Sequence, residues 1–405
     1  MDTIKVLMLG PGEPHPQNSG LGIAASHISR HLQQLVELTV IQPGTNPSQH
    51  VGSLKKALAS LSFTEEELMA DIIEVEARHR LDPYHYLSGY EVEERNTTNK
   101  ATEKVSQIRE VVEHFSEQVV HEGNALDFDV IYAHDWVTFS AALELKKRTK
   151  KPLVLHVHSL DYDRSGGPSG SWIYELEKEA MAQATAIIAV SQYTKNVIRE
   201  YYEVQSPVYV IHNGYARTKS TPVADKIFPE KLILFVGRLS GQKGPGIFMQ
   251  IAEAVHRKMP DTRFVMAGTG ELLKQLIESG AYRSVSGKFH FTGHITHEQV
   301  EELFAMADVY CMPSVSEPFG LSAIEAAGAG IPVVLSKQSG AGEVLPGALK
   351  ADYWDVETFT AHVISCLTDR KMAARSISAN QDALRQLNWQ NIAQSILRVL
   401  RDSLN

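Results

Sequence analysis

Short β-branched apolar runs alternate with longer stretches of helical periodicity along nearly the whole chain, and that alternation restricts the fold more than any other feature. It is the pattern of parallel strands joined by crossover helices. The runs form two series. The first holds "IKVLML" from Ile4, "VIYA" from Val130, "LVLHVH" from Leu153, "AIIAV" from Ala186 and "VYVIH" from Val208. The second holds "LILFVG" from Leu232, "FVMAG" from Phe264, "FHFTG" from Phe289, "VYCMP" from Val309 and "IPVVLS" from Ile331. Between them the polar, proline-containing "ARTKSTPVADKIFPE" reads as an interdomain linker.

A length of 405 residues with 43% hydrophobic content exceeds what one core serves, so two domains are expected. The fold class is α/β, with two Rossmann-like, doubly wound domains in tandem. They divide into an N-terminal domain over 1–218 and a C-terminal domain over 219–387. Residues 53–122 interrupt the first series with "FTEEELMADIIEVEARHR" and the helical "KVSQIREVVEHFSEQVV", and read as a helical insertion on the first domain. The segment 388–405 is an amphipathic helix with Asn388 as its N-cap.

A formal net charge of −9 argues against a nucleic-acid partner. The expected partners are small molecules or neutral polymers. Only Cys311 and Cys366 are present, one in a strand run and one in a helical stretch, so no disulfide framework is expected and a reducing cytoplasm fits. The opening "MDTIKVLMLGPGEP" carries no basic leader, and no apolar run reaches membrane-spanning length. The sequon at Asn96 is therefore taken as coincidence.

In doubly wound sheets ligands bind beyond the carboxyl ends of the strands, so the residues after each run matter most. After the first run, Gly20 and Gly22 open a helix and allow close backbone approach to a phosphate or sugar. After Gly237, "RLSGQKG" places Arg238 and Lys243 around a turn, two cations suited to a diphosphate. After the run from Val309, "SEPFGLSAIEAAGAG" puts Glu317 before a helix and Glu325 within it. Gly320 and Leu321 form the helix start, where free N–H groups and the helix dipole favour a negative oxygen. Two carboxylates beside a diphosphate make sense when the rest of the ligand offers hydroxyls, as sugars do.

In the first domain, "YAHDW" from Tyr132 and "LHVHSLDYDRSG" from Leu155 put histidines at two strand ends. The Asp161-Tyr162-Asp163 pair matches a metal-binding element of some glycosyltransferases, but its setting after a strand of a two-domain chain makes it structural or acceptor-side. No metal and no cofactor are expected.

Together, "FVGRLSGQKG", "SEPFGLSAIEAAGAG", "IHNG" and "AHDW" resemble family-four glycosyltransferases, retaining enzymes of GT-B fold in which two Rossmann-like domains face an interdomain cleft. Within that family, "VIYAHDW", "SLDYDRSG" and "DPYHYLSGYEVEE" are most similar to the glycogen and starch synthase branch. The resemblance implies a nucleotide-sugar donor held by the C-terminal domain and an acceptor-side N-terminal domain on which the terminal helix packs back. It implies that Arg238 and Lys243 neutralise the donor diphosphate, with backbone N–H groups of Gly320 and Leu321. Glu325 would bind the ribose and Glu317 the transferred sugar. His158 would lie near the anomeric carbon, Asp135 on the acceptor side, and His294 with Ile295 beside the base. Glycogen synthases that use ADP-glucose typically carry a lysine before the first glycine pair, where this chain has Asn18 and Ser19.

The activity so implied is transfer of glucose from ADP-glucose or UDP-glucose to an α-glucan. The alternatives are glucosyl transfer to a small acceptor, as in sucrose-phosphate or trehalose-forming enzymes, and a GT-B-fold nucleotide-sugar epimerase.

Overall fold

Residues 3–10, 20–44, 71–76, 98–216, 226–281 and 285–405 of the computed structural model are described. Asn18, Ser19, Asn96 and "DPYHYLSGYEVEE" lie outside them. The chain divides into two compact units, one of Met1–Tyr162, Gly167–Gly214 and Trp389–Asn405, the other of Asp163–Gly166 and Tyr215–Asn388.

Strands β1 (Lys5–Leu9), β2 (Glu37–Gly44), β3 (Asp71–Glu76), β4 (Val130–His134), β5 (Leu153–Val157), β6 (Ala186–Ala189) and β7 (Val208–Val210) form the first sheet. Its order is β3-β2-β1-β4-β5-β6-β7, with every pairing parallel. Helices α1 (Gly20–Leu32), α2 (Thr98–Gly123), α3 (Trp136–Thr149), α4 (Asp161–Ser165), α5 (Trp172–Gln183) and α6 (Gln192–Tyr201) accompany it. Both faces of the sheet are buried, which is why the strands read as continuous apolar runs rather than alternating ones. On β1, Leu7 and Leu9 join one core cluster while Val6 and Met8 join the other. The sheet order reverses between β1 and β4, whose carboxyl ends carry Gly20 with Gly22 and His134 with Asp135.

The described parts of 53–122 differ from a helical insertion. Residues 71–76 are edge strand β3, paired along β2, and 98–123 are the helix that crosses over to β4. The segment "DIIEVE" lies at a sheet edge, where charged residues are tolerated, and its three acidic residues hid it from a reading based on apolar runs.

In the second unit, β8 (Lys231–Val236), β9 (Thr262–Ala267), β10 (Phe289–Gly293), β11 (Val309–Met312), β12 (Val333–Ser336) and β13 (Leu349–Ala351) form a parallel sheet of order β10-β9-β8-β11-β12-β13. Its helices are α7 (Pro245–Lys258), α8 (Leu273–Ala281), α9 (His297–Met306), α10 (Leu321–Gly328), α11 (Ala341–Val344), α12 (Val356–Thr368) and α13 (Arg370–Leu384). Local chemistry starts them. Thr296 and Gln299 make a reciprocal capping box on α9, and α7 begins with Pro245 after the left-handed Gly244. Here the order reverses between β8 and β11.

Helix α14 (Trp389–Asp402) follows Asn388 and returns to the first unit, where Trp389, Ile396, Leu397 and Leu400 join the cluster containing Ile28 and Leu32. Gly214 is where the chain leaves that unit. A Cβ there would lie 2.5 Å from the Trp389 ring, so only glycine lets the backbone pass so close. Among the described residues no helix is long and apolar enough to cross a membrane.

Candidate active site

At the reversal point of the second sheet two loops lie side by side. One, from Gly237 to Gly244, follows β8; the other, from Pro313 to Gly320, follows β11. Backbone bonds stitch them together: Val315 N–H donates to the Gln242 carbonyl at 2.9 Å, and Ser316 N–H shares that acceptor at 3.4 Å. Gly244, at φ 67°, touches the second loop so closely that a Cβ would sit 2.2 Å from the Pro313 oxygen. This contact aims Lys243 across the gap, where its ammonium donates to the Glu317 carboxylate. Glu317 is 4% exposed and also accepts from Ser314 Oγ at 3.4 Å. Its backbone is locked as well, since its N–H donates to Gln338 and its carbonyl accepts from Gly340, each at 2.9 Å.

Helix α10 begins immediately beyond. Its N-cap, Gly320, adopts φ 98° and has no side chain to cap the first turn, which leaves N–H groups at the helix start for an anion. The left-handed turn also keeps Glu317 and the helix start together, because a Gly320 Cβ would lie 3.1 Å from Glu317 Cγ. Tyr310 anchors this helix to the sheet. Its buried hydroxyl donates to the Val236 carbonyl at 3.2 Å and bonds Ser322 Oγ at 2.8 Å, and burial pushes its pKa upward.

Glu325 lies in the second turn of α10. Desolvation first, and the neighbouring Glu301 carboxylate second, push its pKa up to about 7. Arg238 lies beside Glu271 of the turn after β9, whose half-buried carboxyl is raised by desolvation and partly offset by a Glu271 N–H, by Arg238 and by Gly241 N–H. That turn is clamped to the β8 loop, with Leu239 N–H donating to Thr269 at 2.8 Å and Leu272 N–H to Leu239 at 3.0 Å. The structure thus gathers Arg238, Lys243, Glu317, Gly320, Leu321 and Glu325 around adjacent strand ends. His294 and Ile295 sit apart from them, in the turn after edge strand β10, two strands from β8.

The first unit carries its own polar group. Asp135, wholly buried at φ 55°, stands at the β4–α3 junction. Its carboxylate accepts from His158 N–H at 2.6 Å and Ser159 N–H at 3.3 Å, holding the chain that leaves β5. A non-glycine residue in that backbone region is strained, and such strain concentrates at functional sites. Register pairs His134 with His156, and His158 follows two residues on, so three imidazoles meet. His134 Nδ1 and His158 Nε2 are 3.0 Å apart, and Tyr132 OH bonds His156 Nδ1 at 2.6 Å. Burial holds all three rings below the usual histidine range, His158 at about 3. Asp161 accepts from Ser171 Oγ at 2.8 Å and from Ser169 Oγ, consistent with a structural reading of that aspartate.

Sequence reasoning singled out two cations after one strand and two carboxylates after another, and missed residues that pack beside them. Glu271, Tyr310 with Ser322, and Glu301 lie around them in the second unit. The turn "GTGE" after a strand could have signalled Glu271; nothing local signals Glu301, which acts from another helix.

Two doubly wound parallel units, each with polar groups at the reversal point of its sheet, define a protein of the GT-B fold class. Residues 18–218 match the Glycosyltransferase Family 4 model and 219–383 the Glycosyl transferases group 1 model. A glycogen synthase of Mycobacterium tuberculosis is 31% identical over 282 residues, 67% of this chain and 68% of its own length. The chain belongs to family-four glycosyltransferases and is a hexosyltransferase. Among solved structures, sucrose-phosphate synthase from Thermosynechococcus elongatus aligns with TM-score 0.77 at 18% identity, covering 98% of both chains. The Anabaena HepE protein in complex with UDP-glucose aligns with TM-score 0.72 at 18% identity, covering 98% of this chain and 100% of that one. At such identities these likenesses establish the fold.

Proposed function

We propose that the protein is a retaining glucosyltransferase that moves glucose from UDP-glucose or ADP-glucose to an α-glucan. The observation that carries this reading is the Lys243–Glu317 pair beside the uncapped start of α10, a cation, a carboxylate and free N–H groups at one strand-order reversal. The similarity to a glycogen synthase supports the polymer acceptor.

In this reading Arg238, Lys243 and the N–H groups of Gly320 and Leu321 take the negative charge that grows on the departing diphosphate. Glu317 holds sugar hydroxyls and Glu325 the ribose hydroxyls. By resemblance to the family, Gly20 and Gly22 give the donor close backbone approach, and His294 with Ile295 borders the base. His158 meets the transferred sugar, and Asp135 serves the acceptor side by fixing the chain that carries His158. No metal ion is needed, because the positive field is built from side chains and helix. Two free, buried cysteines suit a reducing cytoplasm.

The test is incubation with UDP-glucose or ADP-glucose in EDTA, with glycogen or with small sugar phosphates, and identification of the products. Free nucleotide with new α-glycosidic linkages on glycogen supports the proposal. A new disaccharide phosphate moves it to the small-acceptor class, and an altered nucleotide sugar without transfer indicates epimerisation. A β-linked product overturns retention.

A further inference from the structure

Tyr310 and Ser322 have no part in the chemistry proposed above, yet their hydroxyls meet at the reversal point of the second sheet. Tyr310 lies in β11 and is 0% exposed. Its hydroxyl is 3.2 Å from the carbonyl of Val236, the last residue of β8, and 2.8 Å from Ser322 Oγ, in the first turn of α10. One oxygen thus joins the root of the loop that carries Arg238 and Lys243 to the helix that follows Glu317 and contains Glu325.

The chemistry of the groups fixes the direction of both bonds. A carbonyl only accepts and a phenol has one hydrogen, so both bonds form only when Tyr310 donates to Val236 and Ser322 donates to Tyr310. Burial first, and the Glu317 and Glu325 carboxylates after it, push the phenol pKa up, so it keeps that hydrogen. Ser322 has then turned its only hydroxyl hydrogen inward and has none to give a ligand. An anion at the start of α10 is met by backbone N–H groups, and its binding depends on where that backbone stands.

The cap position does not fix that place, because Gly320 offers no side chain. On α9 and α12 of the same unit the side chains of Thr296 and Asp355 cap the first turn. On α10 the first turn is held from the sheet instead, through Ser322. The two loops are joined again further along the chain, where Val315 and Ser316 N–H share the Gln242 carbonyl.

We propose that Tyr310 and Ser322 are a positioning pair for the nucleotide-sugar donor: the Tyr310 hydroxyl sets the spacing between the Arg238–Lys243 loop and the N–H groups at the start of α10, and with it the fit of a diphosphate. The inference rests on the transferase reading of that site.

The experiment is calorimetric titration with UDP, ADP, uridine and adenosine, with thermal melts alongside. Tyr310→Phe, which keeps the ring, should weaken binding of the nucleoside diphosphate about tenfold and leave binding of its nucleoside, which has no phosphate, as in the wild type. Ser322→Val should weaken it equally. Ser322→Thr, of the same shape as Ser322→Val but with the hydroxyl kept, should restore most of the affinity. The double variant Tyr310→Phe/Ser322→Val should lose no more than either single one, since each breaks the same link. Diphosphate affinity unmoved in Tyr310→Phe and Ser322→Val overturns the proposal. So do equal losses for nucleoside and diphosphate, which mark a general loss of structure, and additive losses in the double variant. Should Tyr310→Phe fail to fold, Ser322→Val and Ser322→Thr decide. A wild type that binds neither nucleotide refutes the donor reading and the pair together. The expected pattern of affinities without any sugar transfer would refute the proposed function while leaving the positioning intact.

Discussion

Lys243 donates to Glu317 across the gap between the β8 and β11 loops, so the principal cation and the principal carboxylate of the site neutralise each other. In the proposed reading, a donor diphosphate arriving at Lys243 would compete with Glu317 and release that carboxylate toward sugar hydroxyls. The pair is a structural tie between two loops, and on that reading also a store of charge for the donor.

That dual role separates the two cations. Lys243→Ala leaves a 4%-exposed carboxylate without its partner, so it should lower thermal stability as well as kcat. Arg238→Ala should lower kcat by about a hundredfold or more with little change in melting temperature, since its half-buried neighbour Glu271 can take up a proton. Steady-state kinetics and thermal melts on both variants check this; equal stability losses would count against it.

The two carboxylates should also part company kinetically. If Glu317 holds the transferred sugar, as proposed, its interaction strengthens as positive charge grows on the anomeric carbon, so Glu317→Gln should chiefly reduce kcat. Glu325, assigned to remote ribose hydroxyls, contributes nearly uniform binding, so Glu325→Gln should mainly raise donor KM. Donor saturation curves decide, and identical effects on both parameters would reject the division of labour.

Glu325, at about 7, is raised above its unfolded value, so the folded state binds the extra proton between the two values. The stability linked to this group is present in acid and is lost as pH rises through about 7. Glu325→Gln should consequently raise the melting temperature at pH 8 and change it little at pH 5. Ribose hydroxyls donate best to the carboxylate form, so donor KM should fall as pH rises from 6 to 8 in the wild type. Removing the neighbouring charge with Glu301→Gln should shift that transition to lower pH, and a profile indifferent to both substitutions would exclude Glu325 as its source.

Gly244 should tolerate no side chain. At φ 67°, with Pro313 O 2.2 Å from any Cβ, Gly244→Ala combines backbone strain with a clash and should cost more than about 1 kcal/mol. Gly246→Ala, where a Cβ meets nothing within 4 Å, is the control on the same helix. Urea denaturation of both compares them directly.

Most of the fold could be read from the chain because its evidence is local. All ten apolar runs are strands of two parallel sheets, since strands buried on both faces must be continuously apolar. What escaped were β2, β3 and β13, where "ELTVIQPG" includes a proline, "DIIEVE" is charged, and "LKA" is only three residues long. Similarly, the residues of the site were legible one strand end at a time, from cations and carboxylates after β8 and β11 and histidines after β4 and β5. Their relations were not. That Lys243 spends its charge on Glu317, that Glu301 raises Glu325 and that His134 shares a hydrogen with His158 depend on separations of 74, 24 and 24 positions along the chain. Residue type sets which charge or proton a side chain can carry; only packing in three dimensions sets which neighbour and how much water surround it, and those two quantities decide protonation and partner.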